Sequence, residues 1–230
     1  MNILAIDTSG VTASVAILRD ETVLAEIFLN LGRNHSEILL PSIDQLLIVA
    51  GLDLGAIDVF ACTIGPGSFT GIRIGVSTVK GLALAVDRPV VALSALEVLA
   101  VSATGSQRKI CPMIDARRDQ VYTGLYADNG PYSLTNIIPE HLVGADDFLK
   151  LIAEDVLFIG SGALKYEDVI RRRLGGRGFF VADHLHQVHA AAVGALAGKK
   201  VNTGGMTDAV NLNPLYLRRS EAEEKIDPQC

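Results

Sequence analysis

The sequence predicts an α/β protein built of two similar domains, and three observations predict it. Its 230 residues suit either one large domain or two of about 100 residues. Short β-rich runs give way to helical periodicities and further strands, and the order recurs in the second half. Setting Asp7 over Asp115 aligns AIDTSGVTASV with MIDARRDQVYT: in each, an aspartate ends an apolar strand, a turn follows, and alternation resumes.

In the first half, NILAIDT is a strand broken by Ser9-Gly10, TASVAILRD a second broken at Asp20-Glu21, and TVLAEIFLN a third. HSEILLPSIDQLLIVAGL sets Ile38, Leu39, Ile43, Leu46, Leu47 and Ala50 at helical spacing, with Gly51 as a stop. IDVFACTIG reads as a buried strand, SFTGIRIGVSTVKGLALAV as a helix opened by Ser68, and PVVALS as another strand. In the second half, CPMIDARRDQVYTGLYAD gives two strands around a turn, with a third near Leu134 to Ile138. Helix ADDFLKLIAE, strand VLFIG, helix YEDVIRRRL, strand FFVAD and helix HAAAVGALAGKK follow. The joint falls between Ser94 and Lys109, with the polar TGSQRK as boundary. The expected domains are 1–105 and 106–217, with a polar tail at 218–230.

A composition 49% hydrophobic and 20% charged marks an ordinary globular chain. The net charge of −6 argues against a solitary, tight nucleic-acid binder, because such binding draws on Lys and Arg neutralising phosphates. Basic clusters at Arg117-Arg118, Arg171-Arg172-Arg173 with Arg177, and Arg218-Arg219 read first as solvated faces. Cys62, Cys111 and Cys230 are widely spaced and form no CxxC, which suits a reducing compartment. The first residues lack a basic leader, and the apolar region from Val76 to Ala103 carries Lys80, Asp87, Arg88, Pro89 and Glu97. A cytoplasmic protein without a membrane span is expected.

Asp7, Thr8 and Ser9 at a strand end form a candidate phosphate corner, where a carboxylate can hold hydrated magnesium and N–H groups and hydroxyls can face a phosphate. The plain alternative is a self-capped turn. The stretch TIGPGSFTGIRIG adds Gly65 and Gly67 before a helix N-terminus. It spells neither the dinucleotide G-x-G-x-x-G nor a P-loop. Gly67, Gly71 and Gly75 recur every four residues, and Thr78 and Leu82 extend that face. Each helix-interior glycine costs about 1 kcal/mol against alanine, so the face implies close approach of another backbone, from this chain's first helix or from another chain. Ile72, Val76, Val79 and Ala83 are read as the opposite, sheet-facing stripe. His35 has Leu39 at i+4, so no paired-histidine metal clamp is present, and DHLHQVH spans a strand-to-helix turn that points Asp183, His184, His186 and His189 apart.

ILAIDTS, HSEILLP, GPGSFTGIRIG, DARRDQVY and NPLYLR, in that order and over nearly the whole chain, resemble the TsaB (YeaZ) family of bacterial tRNA threonylcarbamoyladenosine (t6A) biosynthesis proteins. The resemblance implies two RNase H-like lobes of the actin, sugar-kinase and Hsp70 superfamily. It further implies a non-catalytic partner of the catalytic subunit TsaD, acting with the ATPase TsaE to place threonylcarbamoyl on an adenosine of tRNA. By resemblance the chain contacts tRNA only through that complex, pairs as a homodimer in isolation, and needs no cofactor of its own, with ATP or ADP expected only in the complex. The catalytic relative holds its metal with two histidines on the corresponding helix, where this chain keeps His35 and has Leu39. The family's dimerisation face is helical and lies on the first lobe, so His35, Leu39, Ile43, Ser68, Phe69, Gly71, Gly75 and Thr78 are its expected contacts. Two rivals remain: an ATP-dependent phosphotransferase or ATPase using Asp7, Asp115 and the IGSGA turn, and a metallopeptidase.

Overall fold

The computed structural model describes residues 1–32 and 34–218, so all of the expected polar tail except Arg218 lies outside the described residues. The chain opens with three antiparallel strands, β1 (Asn2–Asp7), β2 (Ala13–Arg19) and β3 (Thr22–Leu29). Helix α1 (His35–Ala50), β4 (Val59–Gly65), α2 (Phe69–Ala85), β5 (Val90–Ser94) and α3 (Ala95–Ser102) follow. The strands form one sheet in the order β3-β2-β1-β4-β5, with β4 and β5 parallel to β1.

The second half repeats this plan with β6 (Lys109–Asp115), β7 (Gln120–Asp128), β8 (Leu134–Gly144), α4 (Ala145–Leu149), β9 (Val156–Ile159), α5 (Ser161–Lys165), α6 (Glu167–Leu174) and β10 (Gly178–Phe180). Its sheet runs β8-β7-β6-β9-β10, again with three antiparallel strands and two parallel additions. Asp7 and Asp115 end equivalent central strands, so the two-lobed duplication is present as a topology.

The first sheet is buried on both faces, which is why its strands read as nearly continuous apolar runs. Leu4, Ile6, Val15, Ile17, Phe60 and Cys62 face α1 and α2, meeting Leu39, Ile43, Leu46, Ile72, Val76, Val79 and Ala83. Ile3, Ala5, Ala16, Leu18, Val59 and Ala61 face the other way, onto α3 and a final helix, α7 (Ala190–Asn202). Helix α7 therefore returns to the first lobe, where Leu18 side-chain carbons fill the space a Cβ on Gly194 would occupy. Thr207 then pairs with Val90. The expected second domain of 106–217 is corrected accordingly: its last segment crosses back and completes the first lobe's core.

Local readings also change. Helix α3 occupies what was expected to be a linker, because Ala95, Leu96, Val98, Leu99, Ala100 and Val101 are buried all round and leave no amphipathic contrast. Strand β8 is an edge strand that accommodates Pro139, and it runs six residues beyond Ile138. Helix α4 is five residues, and the expected YEDVIRRRL helix is preceded by the short α5 on the IGSGA turn.

Candidate functional site

The corner at the end of β1 brings together Asp7, Thr8, Ser9, Gly65 and Gly67, and the chain itself uses most of its polar groups. Asp7 is buried, and its Oδ1 accepts hydrogen bonds from the Thr63 hydroxyl at 2.5 Å, the Ser9 hydroxyl at 2.7 Å and the Ser9 N–H at 3.2 Å. Burial pushes the carboxyl pKa up, while the hydrogen bonds from Thr63 and Ser9 and the nearby His35 oppose that rise. The Thr8 hydroxyl donates to the Gly71 carbonyl at 2.8 Å, and the Ser68 N–H donates to the Ser9 carbonyl at 2.7 Å. His35 Nε2 lies 3.0 Å from the Gly10 carbonyl. Above Gly65 runs the closing NPLYLR segment, whose Leu215 N–H donates to the Ile64 carbonyl at 2.8 Å. The donors that would face a phosphate are thus engaged inside the chain.

The glycine face explains this closeness and corrects the expected docking surface. A Cβ on Gly71 would fall well inside 3.0 Å of the Thr8 carbonyl oxygen, one on Gly75 inside 3.0 Å of the Thr8 hydroxyl, and one on Gly67 inside 3.0 Å of the Ser9 carbonyl. The other backbone is this chain's own β1 corner. Leu39 and Ile43, 1% and 3% exposed, point into the core and are likewise corrected as interface contacts. Phe69 is half-buried and stacks on Tyr216 at 4.8 Å, so part of its surface is covered from within the chain. Ser68 is exposed and accepts from the Gly71 N–H at 3.2 Å as the helix cap; Thr78 and His35 are half-buried.

The second aspartate is engaged as well. Asp115 pairs with Lys165 at 2.9 Å and 3.0 Å and accepts from the Arg117 N–H. The IGSGA turn is packed against the backbone at Met113, leaving no room for a Cβ on Gly160. Arg171 pairs with Glu167 and Arg173 with Asp146, while Arg177 donates to the Ala153 carbonyl, so these basic residues are tied to their own lobe. Asp183 and His184 are exposed, His186 is buried against Gly160, and His189 stacks on Phe28 beside Glu26. Among the described residues no group of three or more His, Cys, Asp or Glu is placed to hold a metal.

What sequence reasoning missed lies on the outer side of α1 and α2. Leu40, Ile48, Val49 and Leu84 are exposed by 56%, 72%, 70% and 53%, and beyond the helix's own neighbouring backbone no atom of the described residues lies within 4 Å of a Cβ position at Gly81. The available signal was phase for Leu40, Ile48 and Leu84, which fall off the core stripes of their helices; Val49 lies in phase with the stripe and is exposed at the helix end. Also missed was a clasp across the lobes. Tyr216 packs on α2 and accepts from Arg73 Nε at 2.9 Å, and two residues later Arg218 donates to the Ala116 carbonyl at 2.8 Å and to the Gln120 side chain.

The sequence model of the family described as TsaD, tRNA N6-adenosine threonylcarbamoyltransferase, matches residues 22–226. The tRNA threonylcarbamoyladenosine biosynthesis protein TsaB of Bacillus subtilis is 38% identical over 98% of this chain and 97% of its own length. Its Escherichia coli counterpart is 39% identical over 98% of each. The chain belongs to the TsaB family. YeaZ of Pseudomonas aeruginosa, at 33% identity, superposes with a TM-score of 0.80 over 94% of this chain and 99% of its own. The fold of the duplicated lobes is also that of component A of the (R)-2-hydroxyglutaryl-CoA dehydratase of Acidaminococcus fermentans, with a TM-score of 0.55 at 14% identity over 88% of this chain and 99% of its own. In this TsaB-family chain ILAIDTS builds the buried corner, GPGSFTGIRIG packs α2 onto it, and NPLYLR straps the glycine-rich loop to the DARR turn.

Proposed function

We propose that this chain is the non-catalytic partner of a TsaD-type subunit in tRNA t6A formation, with TsaE as the third component. The observation that carries the proposal is the contrast between the two sides of α2. The inner side is closed against a corner whose phosphate-facing groups are already bonded, whereas the outer side, with α1, leaves Leu40, Ile48, Val49 and Leu84 in solvent around an unpacked Gly81. Exposed apolar side chains on neighbouring helices, interspersed with the exposed Asp44, suit burial against another chain with a polar component. Leu39 supports the same reading, since a hydrocarbon in the core cannot donate the lone pair that a second metal-ligating histidine would supply.

TsaD docks on this outer face. In isolation the same face serves a homodimer, and tRNA is met only through the assembled complex. Any ATP or ADP is held by the complex rather than by this chain. No helix among the described residues is long and apolar enough to cross a membrane, and we place the protein in the cytoplasm. Reconstitution tests the proposal: with TsaD, TsaE, tRNA and threonylcarbamoyl-AMP, omission of this chain should abolish modification. Undiminished modification without it would overturn the reading.

A further inference from the structure

Three buried side-chain atoms at the junction of the lobes have no hydrogen-bond partner among the described residues: Asp7 Oδ2, Thr12 Oγ1 and His186 Nε2. Each residue is 1% exposed, and all three line one cavity of about 20 Å³ together with Ser9, Ser161 and Gln187. Asp7 and Thr12 come from the first lobe, at the ends of the β1–β2 turn. Ser161 comes from α5 in the second, and His186 from the segment that carries the chain back to α7.

Hydrogen bonding assigns what each atom offers. Asp7 Oδ1 already has three donors, so Oδ2 is left as the free acceptor. His186 Nδ1 lies 3.1 Å from the Gly160 nitrogen, the contact that a tautomer with its proton on Nε2 uses. The Gly160 carbonyl also lies 3.2 Å from Nδ1, the contact that the opposite tautomer would use. Thr12 supplies a hydroxyl that donates and accepts. Leaving even one such buried group unsatisfied is costly, so three around a single void point to a shared partner. A cation is opposed by the imidazole N–H, and an anion by the carboxylate. A water molecule matches the donor, the acceptor and the hydroxyl. It needs roughly 10–15 Å³ of such volume and two to four polar partners, and this cavity meets both conditions.

We propose that the cavity is a binding site for one long-lived water molecule that bolts the two lobes together, accepting from His186 Nε2–H, donating to Asp7 Oδ2 and completing its shell with the Thr12 hydroxyl. The aspartate of the phosphate corner then has a structural use in joining the lobes. This inference is independent of which protein docks on α1 and α2.

Nitrogen-15 NMR and water relaxation dispersion on the full chain test it. The expected wild-type result is an Nε2–H tautomer at His186 and an internal water resident longer than molecular tumbling. Thr12→Val, which keeps the shape and removes the hydroxyl, should reduce the dispersion amplitude by one water. It should also speed amide exchange at Gly160, in the opposite lobe, by about tenfold, the factor that 1.4 kcal/mol represents. An Nδ1–H tautomer in the wild type, which can be read without any variant, would overturn the proposal. So would an unchanged dispersion amplitude in Thr12→Val, or a melting temperature that rises with potassium or ammonium relative to sodium, which would mark a cation site.

Discussion

Replacing Gly71 by alanine should destabilise the monomer although it improves helix propensity. Propensity alone favours alanine by about 1 kcal/mol. Against that, the new methyl carbon would fall well inside 3.0 Å of the Thr8 carbonyl oxygen and 3.2 Å from His35 Cδ2. The obstructing oxygen is backbone at the end of β1, so relief requires α2 to back away from the corner. Overpacking of this kind costs about 1–3 kcal/mol. Separating the elements also breaks the Thr8–Gly71 hydrogen bond, worth about 1 kcal/mol. The net effect is a loss of about 2 kcal/mol towards the middle of these ranges, or a Tm lower by about 4–8 °C for a chain of this size. Gly81→Ala is the control, because beyond the helix's own neighbouring backbone no atom of the described residues lies within 4 Å of its Cβ position. It should gain about 1 kcal/mol and melt about 2–4 °C higher. Both are read by circular dichroism at a concentration where size-exclusion chromatography shows monomer. If Gly71→Ala melts at or above the wild type yet loses dimerisation, the glycine face points outward and the reasoning fails.

Ile48→Glu and Leu84→Glu lie on the exposed face, so each should leave stability within about 0.5 kcal/mol of the wild type. Binding to TsaD, measured by calorimetry, should weaken at least about tenfold, and an unchanged Kd would remove this face from the interface. Millimolar ATP with magnesium should move the Tm of the isolated chain by less than about 1 °C. Occupancy at 100-fold above Kd would contribute about 2.7 kcal/mol, so a shift of several degrees would favour the phosphotransferase reading. A pH-dependent stability is expected from Glu26 and His189. Burial works against the Glu26 charge, but His189, the Ala191 N–H and Ser14 outweigh it and hold its pKa below 4.5; the hydrogen bond to Glu26 holds that of His189 above 6.5 against burial. The pair's contribution is complete from about pH 4.5 to 6.5, declines as pH rises through the folded-state pKa of His189, and declines as pH falls through that of Glu26. His189→Gln should flatten the alkaline decline, by about 1 kcal/mol or less, in urea denaturation across pH 6–9; an unaltered pH profile would contradict the pairing.

The parts of the fold that showed in the sequence are those where burial has a one-sided or uniform signature. The β1–β3 meander and the buried run of β4 have strand-length apolar stretches bounded by turn residues, and α1 has a clean stripe ended by Gly51, whose left-handed conformation and N–H bond to the Ile48 carbonyl close the helix. Helix α3 was hidden because it lies between the lobes and is apolar all round. Its trace was the cap, since Ser94 accepts from the Leu96 and Glu97 N–H groups with glutamate at the third position. The return of α7 to the first lobe has no local signature at all. Its glycine at position 194 is explained only by Leu18, 176 residues earlier in the chain. The corner residues were recognisable as a group, but their engagement depends on contacts that sequence spacing does not encode: Thr63 and the Ser68 N–H donate to Asp7 and Ser9, and the Gly71 carbonyl accepts from Thr8.

The glycine helix is different, because the decisive information was in the sequence and lay in phase rather than in recurrence. At about 100° per residue, Gly75 and Val79 are only about 40° apart around α2, so the glycines border the core stripe instead of opposing it. Gly81 stands about 180° from Ile72 by the same count, at the centre of the solvent side. A four-residue recurrence of glycine therefore says that a backbone comes close; its angle to the buried stripe says whose. In α2 the inner glycines admit the chain's own β1 corner, and the outer glycine, beside Leu84, has no atom from another element of the described residues within 4 Å of its Cβ position. One helix thus closes against the end of β1 on one side and leaves apolar side chains exposed on the other.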